Sequence, residues 1–340
     1  MGNDHQYSMS SDRVHLVFVG DVLGRMVNDR LLHVDPGYPW GDTKSLFRIA
    51  DWRACNLDCV ISDRGRPWSQ TPKAFHFRSD AKNVSVLKAA ALDAVSVANN
   101  HTLDFEYDAM LEMLRLLDHN GIHRAGAGID LAEAMRPTIS KANGISVAMI
   151  AFTDNEPGWQ AGSQTPGLFY LPIDVSDERA EAFFTTVKET RERADLVVVS
   201  AHWGPIIIGA RSHRRAHLCF AHALVDAGVD VIFGHSGHVF QGIELYNWRP
   251  IMYCTGNFVD DYAVDEIDRN DESFVFALEY SSGLMHRMLL YPSVIENCQA
   301  LRAQGERARS IASKMVRLCA PLGTQASWLE DESILEIQGE

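Results

Sequence analysis

The chain has 340 residues, of which 46% are hydrophobic, and a formal net charge of −14 at pH 7. A protein this acidic is poorly suited to bind nucleic acid or an anionic membrane, because both require a basic surface. The length is sufficient for one large core, and no shift in composition marks an internal linker. We therefore expect one globular domain with a C-terminal extension, and a partner that is not nucleic acid.

The N-terminal residues and the cysteines indicate the compartment. Residues 1–12 are polar and lack the apolar segment of a signal peptide, so we expect a disordered leader. No window reaches the roughly eighteen uninterrupted apolar residues of a membrane span. The six cysteines are scattered, which favours buried free thiols in a reducing compartment. Together these features predict a cytoplasmic protein with no membrane span.

Apolar periodicity predicts mostly alternating strands and helices up to residue 250, and antiparallel strands after it. The clearest helix is 105–120, where Met110, Met113, Leu114 and Leu117 recur at helical spacing before Gly121. These elements predict an α/β (α+β) domain over 13–295 and a C-terminal helical extension over 296–340. The predicted strands are 14–19, 56–61, 94–98, 146–152, 196–201, 229–233, 251–254, 273–280 and 285–291, and the other predicted helices are 42–52, 80–92, 176–193, 211–227 and 299–319.

Polar side chains that can bind metal follow several of the predicted strands. Open α/β sheets place their chemistry outside the carboxyl ends of the strands. Two carboxylates, one amide oxygen and three imidazoles suit Mn, Fe or Zn better than Ca or Mg. The strand-end motifs are Gly20-Asp21, Asn99-Asn100-His101, His202-Trp203-Gly204 and Gly234-His235-Ser236-Gly237-His238, and the candidate ligands are Asp21, Asp58, Asn100, His202, His235 and His238.

This set of donors predicts one or two divalent metal ions per chain. Such ions lower the pKa of a bound water, a carboxylate between two ions can bridge them, and a neighbouring histidine assists the leaving group. Asp21 and Asn100 also suit turns or helix caps, which is the alternative for these two residues. A single histidine such as His202 is more commonly a buried core residue. The joint placement of the set at strand ends favours metal binding.

Substrate contacts are expected from arginines and from one loop. The arginines nearest to the first two motifs are candidates to clamp a phosphate or carboxylate, and surface ion pairs are the alternative. The loop 154–167, which contains Trp159, is long enough for an active-site lid, with a plain surface loop as the alternative. The four arginines are Arg25, Arg64, Arg66 and Arg78.

The strand-end motifs, together with Asn56-Leu57-Asp58 and Gly256-Asn257-Phe258, occur in an order that resembles the CapA family. This family comprises the poly-γ-glutamate capsule biosynthesis proteins and is a branch of the metallophosphatase superfamily. The resemblance covers residues 14–295. It implies a calcineurin-like metallophosphatase fold, in which two packed β-sheets are flanked by helices and a dinuclear metal site lies at the strand ends.

The resemblance also implies a role for each candidate ligand. Asp21 would bind the first metal, Asp58 would bridge the two metals, and His238 would complete the shell of the first. His101, directly after a ligand, would be the general acid or would stabilise the transition state. The second metal would be held by Asn100, His202 and His235.

The sequence departs from the pattern of the superfamily or the family in three motifs. Metallophosphatases typically carry a histidine two positions after the first Asp, and Leu23 stands there. The first metal site is therefore expected to be weaker, or the protein to be mononuclear. Asp58 replaces the usual Glu, which is tolerable because metallophosphatases bridge with Asp. Ser236 and Gly237 replace the His-Pro of the usual last motif, while its outer imidazoles remain.

Three functions are compatible with these observations. The leading one is a metal-dependent hydrolase that acts on a phosphoester, or on an amide or ester of a small anionic metabolite, through a metal-activated water with His101 as general acid. The second is a non-hydrolytic accessory factor that binds poly-γ-glutamate or a capsule polymer during its biosynthesis. The third is a degenerate metallophosphatase fold used for partner binding. No Gly-x-Ser-x-Gly elbow and no Gly-x-Gly-x-x-Gly fingerprint follows a strand, which argues against serine hydrolases and dinucleotide-binding enzymes.

Overall fold

Two large β-sheets form the centre of the protein. The computed structural model describes residues 13–24, 27–204, 214–260, 264–281 and 283–340. Within these ranges one sheet has ten strands, another has six, and two pairs of short strands lie apart from them. The strands are β1 (Arg13–Val22), β2 (Trp52–Leu57), β3 (Val60–Ile61), β4 (Arg78–Ser79), β5 (Ala94–Ser96), β6 (His123–Ala125), β7 (Ala127–Gly128), β8 (Thr138–Ala142), β9 (Ile145–Thr153), β10 (Gly167–Leu168), β11 (Leu196–His202), β12 (Val231–His235), β13 (Ile243–Tyr246), β14 (Arg249–Met252), β15 (Asn257–Val259), β16 (Glu272–Ser281), β17 (Leu284–Glu296), β18 (Gln299–Arg302), β19 (Ser327–Leu329) and β20 (Ile334–Gln338).

Helices connect many of these strands and cover the sheets. Short 3-10 helices lie over Tyr38–Ile49, Ala81–Asn83, Pro157–Trp159 and Ala320–Leu322. The α-helices are α1 (Val27–Leu31), α2 (Val84–Ala89), α3 (Glu106–His119), α4 (Leu131–Met135), α5 (Glu178–Arg191), α6 (Arg214–Asp226) and α7 (Gly305–Cys319).

Each sheet contains a block of parallel strands. The larger sheet has the order β19-β20-β17-β16-β1-β2-β5-β6, with β15 beside β1 and β18 beside β17, and the smaller has the order β13-β14-β12-β11-β9-β8. The strands β1, β2, β5 and β6 are parallel, and so are β9, β11, β12 and β14. Because parallel strands end at the same edge, the polar residues that follow them are gathered there.

Aromatic side chains hold the two sheets face to face. The ring centroid of Phe18 in β1 lies 5.0 Å from that of Phe233 in β12 and 5.6 Å from that of Trp52 in β2. All three side chains are buried. Helices pack on the outer faces, for example through Met113 of α3 on the larger sheet and Phe183 of α5 on the smaller. The predicted arrangement of two packed β-sheets flanked by helices is confirmed.

The helix predicted over 105–120 is confirmed as α3, and its four apolar stripe residues are buried. The helix predicted over 42–52 is wrong in type and in extent. A 3-10 helix ends at Ile49, and β2 begins at Trp52. Trp52 belongs to a strand because its ring packs between the two sheets.

Residues 296–340 are not a purely helical extension. The predicted boundary at 295 falls inside β17, and residues 299–302 form β18 where a helix was expected. The reason is a tight hairpin turn: Asn297 and Cys298 have φ values of 53° and 61°, the left-handed geometry that pairs Glu296 with Gln299. The helix therefore starts later, as α7, and β19 and β20 complete the larger sheet.

Some predicted features lie outside the described residues. They include the leader over 1–12, Arg25, and the first residues of the helix predicted over 211–227. Across the described ranges, we find no helix with the length and apolar character needed to cross a membrane.

Replacing Phe18 with alanine should destabilise the protein strongly, because it opens a cavity between the two sheets. The truncation of a buried Phe to Ala costs about 3–5 kcal/mol of unfolding free energy. Urea unfolding followed by circular dichroism measures this loss. The control is Leu32→Ala, because Leu32 is 53% exposed and its truncation should change little. Equal losses in the two variants would contradict the role of Phe18 between the sheets.

Candidate metal centre

The candidate ligands lie at the shared carboxyl edge of the two sheets. Asp21 is near the end of β1, and His202 and His235 are the last residues of β11 and β12, where they are register partners. Gly20 allows β15 to approach this edge, because a Cβ on Gly20 would lie 1.8 Å from the carbonyl oxygen of Gly256. The predicted strand over 56–61 is interrupted after β2, and Asp58 lies in that interruption.

Three of the predicted ligands form one cluster. Asp21, Asp58 and His238 each offer one ligand atom, and these atoms lie within 4.8 Å of one another. The side-chain amide of Asn56 donates to Oδ1 of Asp21 at 2.8 Å and to Oδ1 of Asp58 at 3.4 Å. The Oδ2 atoms of both carboxylates are buried and accept no hydrogen bond from any residue that the structure describes. A buried carboxylate oxygen without a donor is costly, so this arrangement fits a bound cation.

The electrostatics of Asp21 favour the same interpretation. Burial raises the pKa of its carboxyl well above the usual value, the charge of Asp58 raises it further, and the hydrogen bond from Asn56 opposes both effects. Asp21 therefore requires either a proton or a cation at this position.

The two strand-end histidines suit metal ligation because they stay neutral. Burial lowers the pKa of His235 to about 3. Burial and the neighbouring His235 lower the pKa of His202 well below its ordinary value. Neither ring nitrogen of His202 has a hydrogen-bond partner among the described residues. Nδ1 of His235 lies 3.8 Å from Oδ1 of Asp21, and its Nε2 lies 3.0 Å from the hydroxyl of Ser200. Neutral imidazoles are the form that binds divalent ions.

His238 is held by a strained turn and by Asn257. Ser236 and His238 have φ values of 98° and 54°, in the left-handed region that non-glycine residues rarely occupy. Nδ1 of His238 lies 2.9 Å from Oδ1 of Asn257, a contact that orients the ring. Asn257 was part of a sequence motif, but its role toward His238 depends on the pairing of β15 with β1 and could not be predicted.

His101 is paired with a carboxylate that sequence reasoning missed. Its Nδ1 lies 2.6 Å from Oδ2 of Asp104, and its ring stacks on Phe77 with centroids 4.0 Å apart. Burial alone would lower the pKa of His101, but the charges of Asp58 and Asp104 and the hydrogen bond with Asp104 outweigh it, so that the pKa is raised. The side-chain amide nitrogen of Asn100 lies 3.3 Å from Nε2 of His101. The available signal was an acid three positions after a strand-end histidine.

Lys73 is a second residue that the motifs did not indicate. Its ammonium nitrogen lies 2.6 Å from the carbonyl oxygen of Asn100 and 3.3 Å from Oδ1 of Asp104. No periodicity or motif surrounds Lys73 in the sequence, so nothing local indicated that it would be buried beside this centre.

The arginines proposed for substrate binding have structural contacts of their own. Nε of Arg64 lies 2.9 Å from Glu112, and Nε of Arg66 lies 3.4 Å from Glu106, both on α3. These are surface ion pairs, the alternative that the sequence left open. The guanidinium carbon of Arg78 lies 4.4 Å from the ring centroid of Phe105. Arg25 is outside the described residues, and a substrate contact for any of the four stays a prediction.

Leu23 stands where the sequence pattern expects a histidine, and its side chain has no atom that can bind a metal. It is fully buried within the apolar cluster between the larger sheet and its helices. Its φ of 69° is left-handed, and its amide donates to the carbonyl oxygen of Val259 at 2.8 Å. Position 23 thus offers no side-chain ligand to the cluster, and a weaker first metal site stays a prediction.

Comparisons with known proteins agree with the motifs. The family model described as Bacterial capsule synthesis protein PGA_cap matches residues 15–262. PGA biosynthesis protein CapA of Bacillus subtilis (strain 168) is 32% identical over 255 residues, which are 74% of this chain and 64% of that protein. A probable polyglutamine synthesis accessory protein of Mycobacterium tuberculosis (strain CDC 1551 / Oshkosh) is 32% identical over 248 residues, with 71% and 64% covered. The chain thus spans less than two thirds of the length of these relatives.

Two solved structures align with this chain at low sequence identity. A hypothetical protein from Thermus thermophilus aligns with a TM-score of 0.48 and 15% identity, covering 82% of this chain and 98% of that one. The NAD nucleotidase NadN of Haemophilus influenzae aligns with a TM-score of 0.42 and 13% identity, covering 90% and 56%.

Manganese should raise the thermal unfolding midpoint of the metal-free protein, and raise it more at about pH 7.5 than at about pH 5. Because the pKa of Asp21 is raised in the fold, a proton bound there stabilises the metal-free protein at low pH. This stabilisation is lost as the pH rises through the raised pKa of Asp21. Mn²⁺ competes with the proton for the Asp21 carboxylate, so it binds more tightly at the higher pH. Thermal unfolding with chelator and with Mn²⁺ measures the shift.

The matched variants are Asp58→Asn and Asp331→Asn, which remove one carboxylate charge each. Asp331 is exposed and lies far along the sequence from every candidate ligand, so its variant should keep the manganese shift. Asp58→Asn should abolish it. A shift that persists in Asp58→Asn, or that is the same at both pH values, would contradict the assignment of the cluster.

Proposed function

This chain belongs to the bacterial capsule synthesis protein family PGA_cap, and on that premise we propose that its strand-end centre is the active site of a metal-dependent hydrolase. The observation that carries the proposal is the pair of buried carboxylate oxygens, on Asp21 and Asp58, that have no hydrogen-bond donor among the described residues. They lie with neutral imidazoles at the edge where His101 and Asp104 also lie. Such a combination is typical of hydrolytic metal centres.

The residues present fit one or two divalent ions of the Mn, Fe or Zn class. Asp21, Asp58 and His238 would hold one ion, and Asp58 would be shared with the other. A bound ion of this class activates a water and stabilises negative charge on the attacked phosphoryl or acyl group. Because Leu23 removes one ligand, we expect the ion at Asp21 to be held more weakly. The second ion would be held by Asn100, His202 and His235.

His101 is proposed as the general acid, and Asp104 as the residue that orients it. Because Nδ1 is engaged by Asp104, Nε2 is the atom that would deliver a proton to the leaving group, and it would have to exchange its contact with the amide nitrogen of Asn100 for that group. The raised pKa of His101 favours the protonated form that this role needs. Phe77 fixes the plane of the ring by stacking on it. The bond that breaks would be a phosphoester, or an amide or ester of a small anionic metabolite.

An anionic substrate requires local positive charge, because the net charge of the chain is −14. The candidate contacts are still Arg25, Arg64, Arg66 and Arg78. Arg64 and Arg66 would have to exchange their ion pairs with α3 for the substrate. A cytoplasmic location also stays a prediction.

A non-hydrolytic role is the second candidate, and the names of the relatives favour it. The Mycobacterium tuberculosis relative is named as an accessory protein in polyglutamine synthesis, and the Bacillus subtilis relative as a PGA biosynthesis protein. By this proposal, the chain would bind poly-γ-glutamate or another capsule polymer without cleaving it. A third candidate, a degenerate fold that binds a partner, is favoured by the leucine at position 23.

Replacing His101 with alanine should lower kcat by about 100- to 10,000-fold, because general acid catalysis contributes about that factor. The metal content should stay unchanged, since His101 is not a proposed ligand. Asn100→Ala and His235→Ala should instead lose metal, as measured by plasma mass spectrometry. The assay uses metal-loaded protein with nitrophenyl phosphomonoester, phosphodiester and γ-glutamyl anilide substrates. His33→Ala, on an exposed surface, is the control and should keep both properties.

Two outcomes separate the candidate functions. Metal-loaded protein that hydrolyses none of the three substrate classes but binds glutamate oligomers would favour the accessory role over the hydrolase. Protein that holds no metal after loading with Mn, Fe and Zn would rule out the hydrolase and leave the accessory role and the partner-binding fold.

A further inference from the structure

Lys73 is a buried cation beside the candidate metal centre to which the proposed reaction gives no role. It lies on the segment between β3 and β4, and its side chain is only 9% exposed. Its Nζ atom lies 2.6 Å from the carbonyl oxygen of Asn100, 3.3 Å from Oδ1 of Asp104 and 3.3 Å from Oε1 of Glu156. The ring centroid of Trp159 lies 4.9 Å from the same atom.

Lys73 is held by two hydrogen bonds and one ion pair. Its ammonium group donates to the carbonyl oxygen of Asn100 and to Oε1 of Glu156, whereas Oδ1 of Asp104 is an ion-pair partner that accepts no hydrogen bond among the described residues. Burial of an ammonium is unfavourable unless it is paired and hydrogen-bonded, so these three oxygens and the aromatic face explain why the charge is tolerated. The position of Lys73 suits the support of other residues.

Two of the three oxygens around Lys73 belong to the turn that follows β5. The carbonyl of Asn100 is part of the backbone that presents the Asn100 side chain, a proposed ligand. The carboxylate of Asp104 orients His101. Lys73 therefore contacts both the residue that would bind metal and the residue that holds the proposed acid.

The third oxygen belongs to Glu156, which is on the side of the other sheet. It lies on the segment after β9, two residues beyond Asp154. Both carboxylate oxygens of Asp154 accept the amide hydrogen of Gly204 at 3.1 Å, and the Asp154 amide donates to the carbonyl oxygen of His202 at 3.2 Å. The segment that holds Glu156 is thus attached to the end of β11, where another proposed ligand lies.

We propose that Lys73 is a positioning residue that connects the two halves of the metal centre, tying the Asn100–Asp104 turn of the larger sheet to the segment after β9 in the smaller one. This inference rests on the proposed metal site. It assigns to Lys73 no contact with substrate or reacting atoms. Without Lys73, every proposed ligand would still be present, but the relative positions of these ligands would be less well fixed.

Titration calorimetry with Mn²⁺ tests the inference on the full chain. Lys73→Met keeps the length of the side chain but removes the charge, and it should weaken Mn²⁺ binding by about 10- to 100-fold, the usual effect of losing a partner that orients ligands. Lys73→Arg should recover part of the affinity. The control is Lys82→Met, since Lys82 is 59% exposed, and its affinity should equal that of the unmodified protein.

The visible absorption spectrum of the Co²⁺-loaded protein gives a second measurement that general destabilisation would not move. Lys73→Met should shift its bands and Lys82→Met should not.

If Lys73→Met does not fold, Glu156→Ala replaces it. Glu156 is partly exposed and holds the connection from the other side, so its truncation should weaken Mn²⁺ binding by about tenfold. Unmodified protein that binds no Mn²⁺ would overturn the proposed function and this inference together. If the unmodified protein binds Mn²⁺, two results would overturn the role of Lys73 alone. One is that Lys73→Met changes neither the affinity nor the spectrum, and the other is that Glu156→Ala leaves the affinity unchanged.

Discussion

The contact between the two sheets is the constraint on which the candidate centre depends. The larger sheet supplies the carboxylates and Asn100, and the smaller sheet supplies His202 and His235, so the candidate ligands are divided between the two sheets. Phe18 lies three residues before Asp21 on β1, and Phe233 lies two residues before His235 on β12. Their packing therefore sets the distance between the two strand ends, where Nδ1 of His235 reaches 3.8 Å from Oδ1 of Asp21. Apolar packing and polar geometry are determined by the same strands.

Specific contacts balance only part of the negative charge at this edge. Asn56 holds one oxygen of each buried carboxylate and leaves the other without a donor among the described residues. The histidines add no charge, because burial lowers the pKa of His202 and of His235. Lys73 supplies positive charge at the periphery, next to Asp104. The centre thus carries unbalanced negative charge at its middle, which a cation would neutralise.

The sequence allowed prediction of what is local and not of what depends on tertiary contacts. Apolar runs that end in Asp, Asn or His are visible in the sequence, which is why Asp21 and His235 could be named as candidates and why α3 was placed almost to the residue. Lys73 has no such signal, because its contacts join chain segments that meet only in the fold. Asp104 was indicated only by its position three residues after His101, and Asn56 only by its motif, while the hydrogen bonds that both make depend on the fold. The strand β18 was misread for a similar reason, since its turn at Asn297 makes sense only beside β17.

The burial of Leu23 determines what a replacement at position 23 would do to the fold. Its side chain is part of the apolar cluster beneath the larger sheet, and its left-handed backbone is fixed by the bond to Val259. A mutation to histidine would bury an imidazole among hydrocarbon side chains, and the loss of unfolding free energy would occur whether or not the imidazole bound a metal. An imidazole at position 23 would therefore need compensating changes among the neighbouring side chains of the cluster. A single replacement there trades apolar packing for a polar group that has no partner.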